Sequence, residues 1–185
     1  VLVSNYTMVA TANVAKFIGV KVGLVDISNE DLCMCPDDLL KKINKKTKVV
    51  IYTAMNGRVG KIDLIKKICK KKNLTLIEDA AHAIGSYNKK IHVGNSGLAG
   101  SFSFSMPKLI TMGQGGAVIT NNNKLANQLR LYKNFGRKKS GEDRHDHMGY
   151  NFKITDMQSM LALGQLKSVK SRIKKKKEIF ARYKS

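Results

Sequence analysis

Tryptophan is absent from this sequence, and aromatic residues make up only 6% of it. Surfaces that bind single-stranded nucleic acid stack bases on interleaved aromatics, so this composition counts against such a face. Cysteine is scarce too: Cys33, Cys35 and Cys69 are the only three. An odd count, with two of them too close for a comfortable disulfide, points to a reducing, cytoplasmic setting. A zinc site would need more ligands at recognisable spacing. His145-Asp146-His147 offers two imidazoles without a third ligand, inside a charged stretch, and reads as a solvated loop. No apolar run is long enough to span a bilayer, so no membrane role is expected.

Acids are the last scarcity. Asp and Glu number 13 against 34 Lys and Arg, for a net charge of +21. A nucleic-acid partner is one reading of that balance. The lysine runs favour another. Lys41-Lys42, Lys45-Lys46, Lys66-Lys67 and Lys70 to Lys72 lie at the ends of amphipathic stretches, spread along the chain. They read as solvated helix faces with a general attraction for anionic ligands, and no dedicated nucleic-acid surface is expected.

With 185 residues, 43% of them hydrophobic, the chain can fold one domain around a sizeable core. Residue 1 is Val and not Met, so the expectation is a chain that starts inside a longer protein. Short apolar runs alternate with helical patterns. Strands are expected over 1–6, 22–27, 49–53 and 74–77, and helices over 10–19, 36–44 and 63–72. In the last of these, Leu64, Ile65, Ile68 and Cys69 share one face and lysines the other. This rhythm predicts an α/β fold, a mostly parallel sheet with helices on both faces. Ligands of such sheets sit at the carboxyl ends of the strands.

Further on, Asn88-Lys89-Lys90 reads as a turn between short strands. Strands over 102–104 and 117–120 flank the glycine-rich Gly113-Gln114-Gly115-Gly116, and a helix is expected over 124–135. A charged loop over 136–148 is followed by a long helix from Thr155 to the end, with Gln158 completing a capping box. That helix stops at Ser185 with nothing to pack its far end, which again suggests a chain cut from a larger protein.

Among so few acids, two directly after a buried strand are informative. In Leu76-Ile77-Glu78-Asp79-Ala80-Ala81-His82, strand alternation sends Glu78 and Asp79 to opposite sides. One can point into a strand-end crevice, where the small Ala80 and Ala81 leave room for something flat. Asp79 could equally cap a following helix, and His82 alone carries little weight. Lys108 differs from the other lysines, lying between apolar residues in Phe104-Ser105-Met106-Pro107-Lys108-Leu109-Ile110. Lost hydration favours a neutral amine, the form that acts as nucleophile and base. A snorkelling surface lysine is the other reading. The glycines that follow suit a backbone passing close to a ligand, or simply a turn.

Four stretches resemble the DegT/StrS family of sugar aminotransferases, which have the fold-type I architecture of enzymes dependent on pyridoxal 5'-phosphate (PLP). They are Tyr6 to Asn13 with Gly19 and Val25-Asp26; Ile77 to Gly85; Phe102 through Lys108 to Thr120; and Asn134 to Arg137 with Gly149 to Lys153, Asp156 and Gln158. The likeness spans nearly the whole chain in correct order. It implies that residues 1–154 are a PLP-binding large domain lacking its N-terminal part. Residues 155–185 would be a helix leading towards an absent C-terminal small domain.

The implied roles fall on matching positions. Lys108 is the Schiff-base lysine. Asp79 pairs with the pyridine nitrogen, and His82 lies near the phenolic oxygen. Ser103 touches the phosphate. Met8 packs against the ring where the family often has an aromatic residue. Asn151 reaches the cofactor phosphate of a neighbouring subunit, making a homodimer with shared sites. The family's upstream Gly-Thr phosphate-cradling segment is missing. Members with His in place of the lysine deoxygenate their sugar, so Lys108 favours amino transfer. The implied reaction moves an amino group from glutamate to a nucleotide-linked keto sugar, commonly a 4-keto-6-deoxyhexose, for amino-sugar biosynthesis in lipopolysaccharide or another glycan. A PLP-binding regulator without turnover and a basic nucleic-acid-binding domain are the alternatives.

Overall fold

Short β-branched runs alternate with helices through the first half of the chain: β1 (Leu2–Ser4), α1 (Val9–Phe17), β2 (Gly23–Val25), α2 (Pro36–Lys42), β3 (Val49–Thr53), α3 (Ile62–Lys71) and β4 (Thr75–Asp79). The second half supplies β5 (Tyr87–Asn88), β6 (Ile91–His92), β7 (Ala99–Ser103), β8 (Gly116–Ile119), α4 (Asn123–Lys133), α5 (Asp156–Leu166) and α6 (Val169–Lys184). This computed structural model describes residues 1–139, 141, 143–145 and 147–184. They divide into two units, Val1–Ser103 with Gly116–Ile119, and Phe104–Gly115 with Thr120–Ser185. Among the described residues no helix is long and apolar enough to cross a membrane.

The first unit holds a six-stranded sheet in the order β2-β1-β3-β4-β7-β8. All its pairings are parallel except β7 with β8. The expected α/β architecture is therefore observed. Strand alternation divides its side chains. Leu2, Val50, Tyr52 and Leu76 pack with Leu39 of α2 and Ile62, Ile65, Ile68 and Cys69 of α3 into the main core. Each large aliphatic side chain buried there contributes roughly 1.5–3 kcal/mol. The intervening residues Thr53 and Asp79 belong to the other set and meet Thr7, just before α1, and Thr11 of α1. The three cysteines are free; burial pushes the Cys69 thiol up to about 11 and also raises Cys33.

β4 runs two residues further than its apolar stretch suggests, because Tyr52 and Thr53 of β3 pair with Glu78 and Asp79. Both acids thus lie inside the strand and face opposite ways. Glu78 is fully buried. Its carboxylate accepts the backbone N–H groups of Gly94 (2.8 Å), Ser96 and Gly97 (2.8 Å). That loop crosses β7 so closely that a Cβ on Gly100 would lie 2.1 Å from the carbonyl oxygen of Gly94. Glu78 is thus a structural acid that ties the loop to the sheet.

Glu78→Ala leaves three donors without an acceptor, two of them buried and Gly97 half-buried, at roughly 1–3 kcal/mol for each unsatisfied buried group. The expected loss is about 3 kcal/mol or more in a urea melt. Glu78→Gln keeps the shape but turns an NH2 towards a donor, and should fall between. A loss below about 1 kcal/mol for Glu78→Ala would show that water replaces the carboxylate.

The C-terminal helix is not continuous. Thr155 and Gln158 form the expected capping box. α5 nevertheless ends at Leu166, and α6 starts at Val169. At the break, the hydroxyl and the backbone N–H of Ser168 both donate to the Gln165 carbonyl (3.0 and 3.1 Å), the kind of side-chain bond that competes with the helical ladder.

Candidate active site

Parallel strands collect polar groups at their carboxyl ends, and the strand order diverges between β1 and β3, the position at which such sheets bind ligands. The structure places a threonine cluster there. β1 leads into Thr7, α1 presents Thr11 in its first turn, and β3 ends on Thr53 opposite Asp79 in β4. The Thr11 hydroxyl donates to Asp79 Oδ2 at 2.6 Å. Thr7 Oγ1 lies 3.0 Å from Thr11 Oγ1 and 3.1 Å from Thr53 Oγ1. Thr11 and Thr53 are buried, while Asp79 is half-buried.

Asp79 does not cap a helix. Its Oδ1 accepts the N–H of Ala81 (3.2 Å), and the chain goes on through turns closed by Ala83 to Ala80 and Ser86 to Ala83. Ala80 lines no crevice. It is fully buried in a small cluster with Ala54, Ala83 and Val93. His82 is exposed, and its Nδ1 accepts the N–H of Asn56 at 3.3 Å. When the ring is neutral, that bond leaves the proton on Nε2.

Met8 occupies the N-cap of α1. It is exposed, and its carbonyl accepts the N–H of Thr11 (3.0 Å). Ser103 is the last residue of β7. Ser101 pairs with Asp79 in register, so Ser103 stands two residues further along the same carboxyl edge. The first unit therefore brings Asp79, Thr11, Met8, His82 and Ser103 to one edge of its sheet.

In the second unit, Lys108 lies in the excursion Phe104–Gly115. Phe104 and Gly115 close it by a backbone hydrogen bond of 2.8 Å, and Met112 returns to Phe104 at 2.9 Å. Lys108 is half-buried, between exposed Pro107 and buried Ile110, and its N–H donates to Ser105 O (3.1 Å). Side chains of α5 and α6 hold the excursion. Gln158 donates to Gln114 O (2.9 Å), Gln165 accepts from Thr111 N (3.1 Å), and Arg172 donates to Leu109 O (3.1 Å).

The same unit joins the halves of the fourth stretch. Phe135 N–H donates to Tyr150 O (2.9 Å) and Phe152 N–H to Lys133 O (3.1 Å). Asn151 forms an isolated antiparallel bridge with Asn134 and is exposed. Gly136 and Gly149 are required where these strands of backbone cross, since a Cβ on Gly149 would lie 2.0 Å from Gly136 N. Arg137 and Lys153 each place their cation within 5 Å of the Phe135 ring centre, at 4.9 and 4.6 Å.

Among the described residues no group of three or more His, Cys, Asp or Glu could hold a metal ion. In the His145-Asp146-His147 stretch, Asp146 lies outside the described residues, while His145 Nδ1 is 2.8 Å from Phe135 O. Sequence reasoning missed Thr11, Thr53, Gln165 and Arg172. Thr7 and Thr11, four residues apart at a helix start, carried a signal that could have been followed. Nothing local marks Gln165 or Arg172.

The whole chain, residues 1–185, matches the DegT/DnrJ/EryC1/StrS aminotransferase family. It is 35% identical over 184 residues to the GDP-perosamine synthase of Escherichia coli O157:H7, covering 100% of this chain and 50% of that one. Helicobacter pylori PseC, an aminotransferase involved in pseudoaminic acid biosynthesis, superposes with a TM-score of 0.85 at 33% identity, over 91% of this chain and 46% of that one. A Streptococcus pneumoniae protein assigned as a sugar aminotransferase and solved in its PLP form has a TM-score of 0.91 at 26% identity, over 99% of this chain and 52% of that one. The chain spans about half the length of the relatives it matches. Its family is shown by the match along its whole length: this chain belongs to the DegT/DnrJ/EryC1/StrS aminotransferases.

Proposed function

We propose that the full-length protein carrying this chain is a PLP-dependent transaminase that moves an amino group from glutamate to a nucleotide-linked keto sugar. The observation that carries this reading is Asp79, an acid fixed at the carboxyl end of a buried parallel strand by the Thr11 hydroxyl and the Ala81 N–H. An anchored carboxylate suits a protonated heteroaromatic nitrogen, because an anion beside that nitrogen favours its charged form. The hydroxyl of Ser103 at the same edge suits a phosphate oxygen. These donors and acceptors fit PLP.

When bound, PLP supplies an electron sink that makes the donor's α-proton labile. Asp79 would hold the proton on the pyridine nitrogen. His82 would lie beside the phenolic oxygen, Ser103 would donate to the phosphate, and Met8 would pack against the ring. Lys108 would anchor the cofactor through Nζ. The Lys108 amine would also serve as the base that takes and returns the donor's α-proton. Asn151 would reach the phosphate in a neighbouring subunit, which makes the active enzyme a homodimer.

The name of one relative above, a GDP-perosamine synthase, supports a nucleotide-linked sugar acceptor. A 4-keto-6-deoxyhexose is the acceptor proposed, in amino-sugar biosynthesis. The test is the absorbance spectrum of the full-length protein with PLP, before and after glutamate. The expected result is a visible band that moves to the near-ultraviolet when glutamate is added. A band that glutamate leaves in place would mean a cofactor-binding protein without turnover. A folded protein with no band would overturn the reading.

A further inference from the structure

We infer that Thr11, backed by Thr7 and Thr53, is a positioning residue that fixes the Asp79 carboxylate through a one-way chain of hydroxyl protons. This rests on the proposed role of Asp79 towards the cofactor. The direction follows from proton counting. Each threonine hydroxyl has one proton to give. Thr11 gives its proton to the Asp79 carboxylate, which accepts at 2.6 Å. Thr11 can then only accept from Thr7, so Thr7 gives its proton across their 3.0 Å contact. Thr7 in turn can only accept from Thr53, across 3.1 Å. The order is Thr53 to Thr7 to Thr11 to Asp79, with every dipole pointing towards the anion.

Such a chain does two things. Aligned hydroxyl bonds polarise one another, so the last one is stronger than a lone hydroxyl would make it. It also has a rigid base. Thr53 is buried and pairs in register with Asp79, and Thr11 is buried in the first turn of α1. Thr11 therefore holds one carboxylate oxygen directly, with Thr7 and Thr53 standing in line behind it. With Oδ1 held by Ala81, the carboxylate is restrained on both oxygens, and its remaining lone pairs can face a cationic ring N–H. Threonine's β-branching also stiffens its χ1, which narrows the directions its hydroxyl can take.

The test compares Thr11→Val, Thr11→Ser and Thr53→Val in the full-length protein. PLP dissociation constants come from titration of the cofactor band, and crystal structures are solved without cofactor. Thr11→Val, which keeps the shape and loses the proton, should weaken PLP binding about tenfold. Thr11→Ser should stay within about twofold of wild type, because the hydroxyl is restored. Thr53→Val should fall between. In the cofactor-free crystals the Asp79 carboxylate should rotate away in Thr11→Val and stay in place in Thr11→Ser. Wild-type affinity together with an unmoved carboxylate in Thr11→Val overturns the inference. If the wild-type protein itself fails to bind PLP, the proposed function falls. The cofactor-free structures then still decide the point: an unmoved carboxylate in Thr11→Val overturns the positioning role.

Discussion

Turnover of the full-length protein should fall about a thousandfold when Lys108 is replaced by alanine, because in its proposed role it is a positioned proton carrier, which alone contributes roughly 10²–10⁴, and the proposed covalent anchoring would be lost as well. The substitution should cost little stability. Lys108 is half-buried in an excursion whose hold on α5 and α6 comes from Thr111, Gln114 and Leu109 and not from the lysine. Lys108→Arg should be as inactive as Lys108→Ala. Its guanidinium keeps the charge but stays protonated, so it offers no nucleophilic amine. The measurement is 2-oxoglutarate release from glutamate and acceptor, beside a thermal melt. A Lys108→Ala enzyme with more than a tenth of the wild-type rate would remove the lysine from the chemistry.

Replacing Asp79 should cost about as much in rate, and here the pair of variants separates charge from geometry. Asp79→Ala removes the acceptor of the Thr11 hydroxyl and the Ala81 N–H, with an expected stability loss of about 1–3 kcal/mol. Its rate should drop roughly a thousandfold, equal to about 4 kcal/mol of barrier. Asp79→Asn can still accept from Thr11 through its carbonyl oxygen but turns an NH2 towards the Ala81 N–H, so its stability should fall between Asp79→Ala and wild type. It carries no charge, however, and cannot favour a protonated ring nitrogen. The expectation is an Asn variant nearly as slow as the Ala variant but more stable than it. If Asp79→Asn turned over within about threefold of wild type, the carboxylate's charge would be irrelevant and Asp79 would only be a structural hydrogen-bond acceptor.

Much of the architecture was legible in the chain because it is written in local periods. β3 coincides with its apolar run, Val49–Thr53, and α2, α3 and α4 fall within a few residues of their expected bounds. The amphipathic pattern of α3 points to the core it occupies, since Ile65, Ile68 and Cys69 are buried as a set, but Leu64, expected on the same face, is exposed and Ile62 takes its place in the core. The capping box at Thr155 could be read directly, being a contact between residues three apart. The extent of β4 could not, because its last two residues are strand only by virtue of their pairing with β3. The break between α5 and α6 also escaped. The apolar and charged pattern runs through it, and only the Ser168 hydroxyl marks the place.

The sequence by itself determined the alternation of strands and helices, the opposite facing of Glu78 and Asp79, and the candidacy of Lys108. Each is a property of neighbours along the chain, set by the two-residue period of a strand or by composition around one residue. Which of the two acids became structural was decided only in three dimensions. Glu78 met backbone donors 16 to 19 positions away, and Asp79 met a hydroxyl 68 positions earlier. Periodicity says which side a residue faces and cannot say what waits there. The partner comes from the crossover that sets β1 and α1 beside β3 and β4, and a buried carboxylate is then sorted by the donors that the fold brings to it.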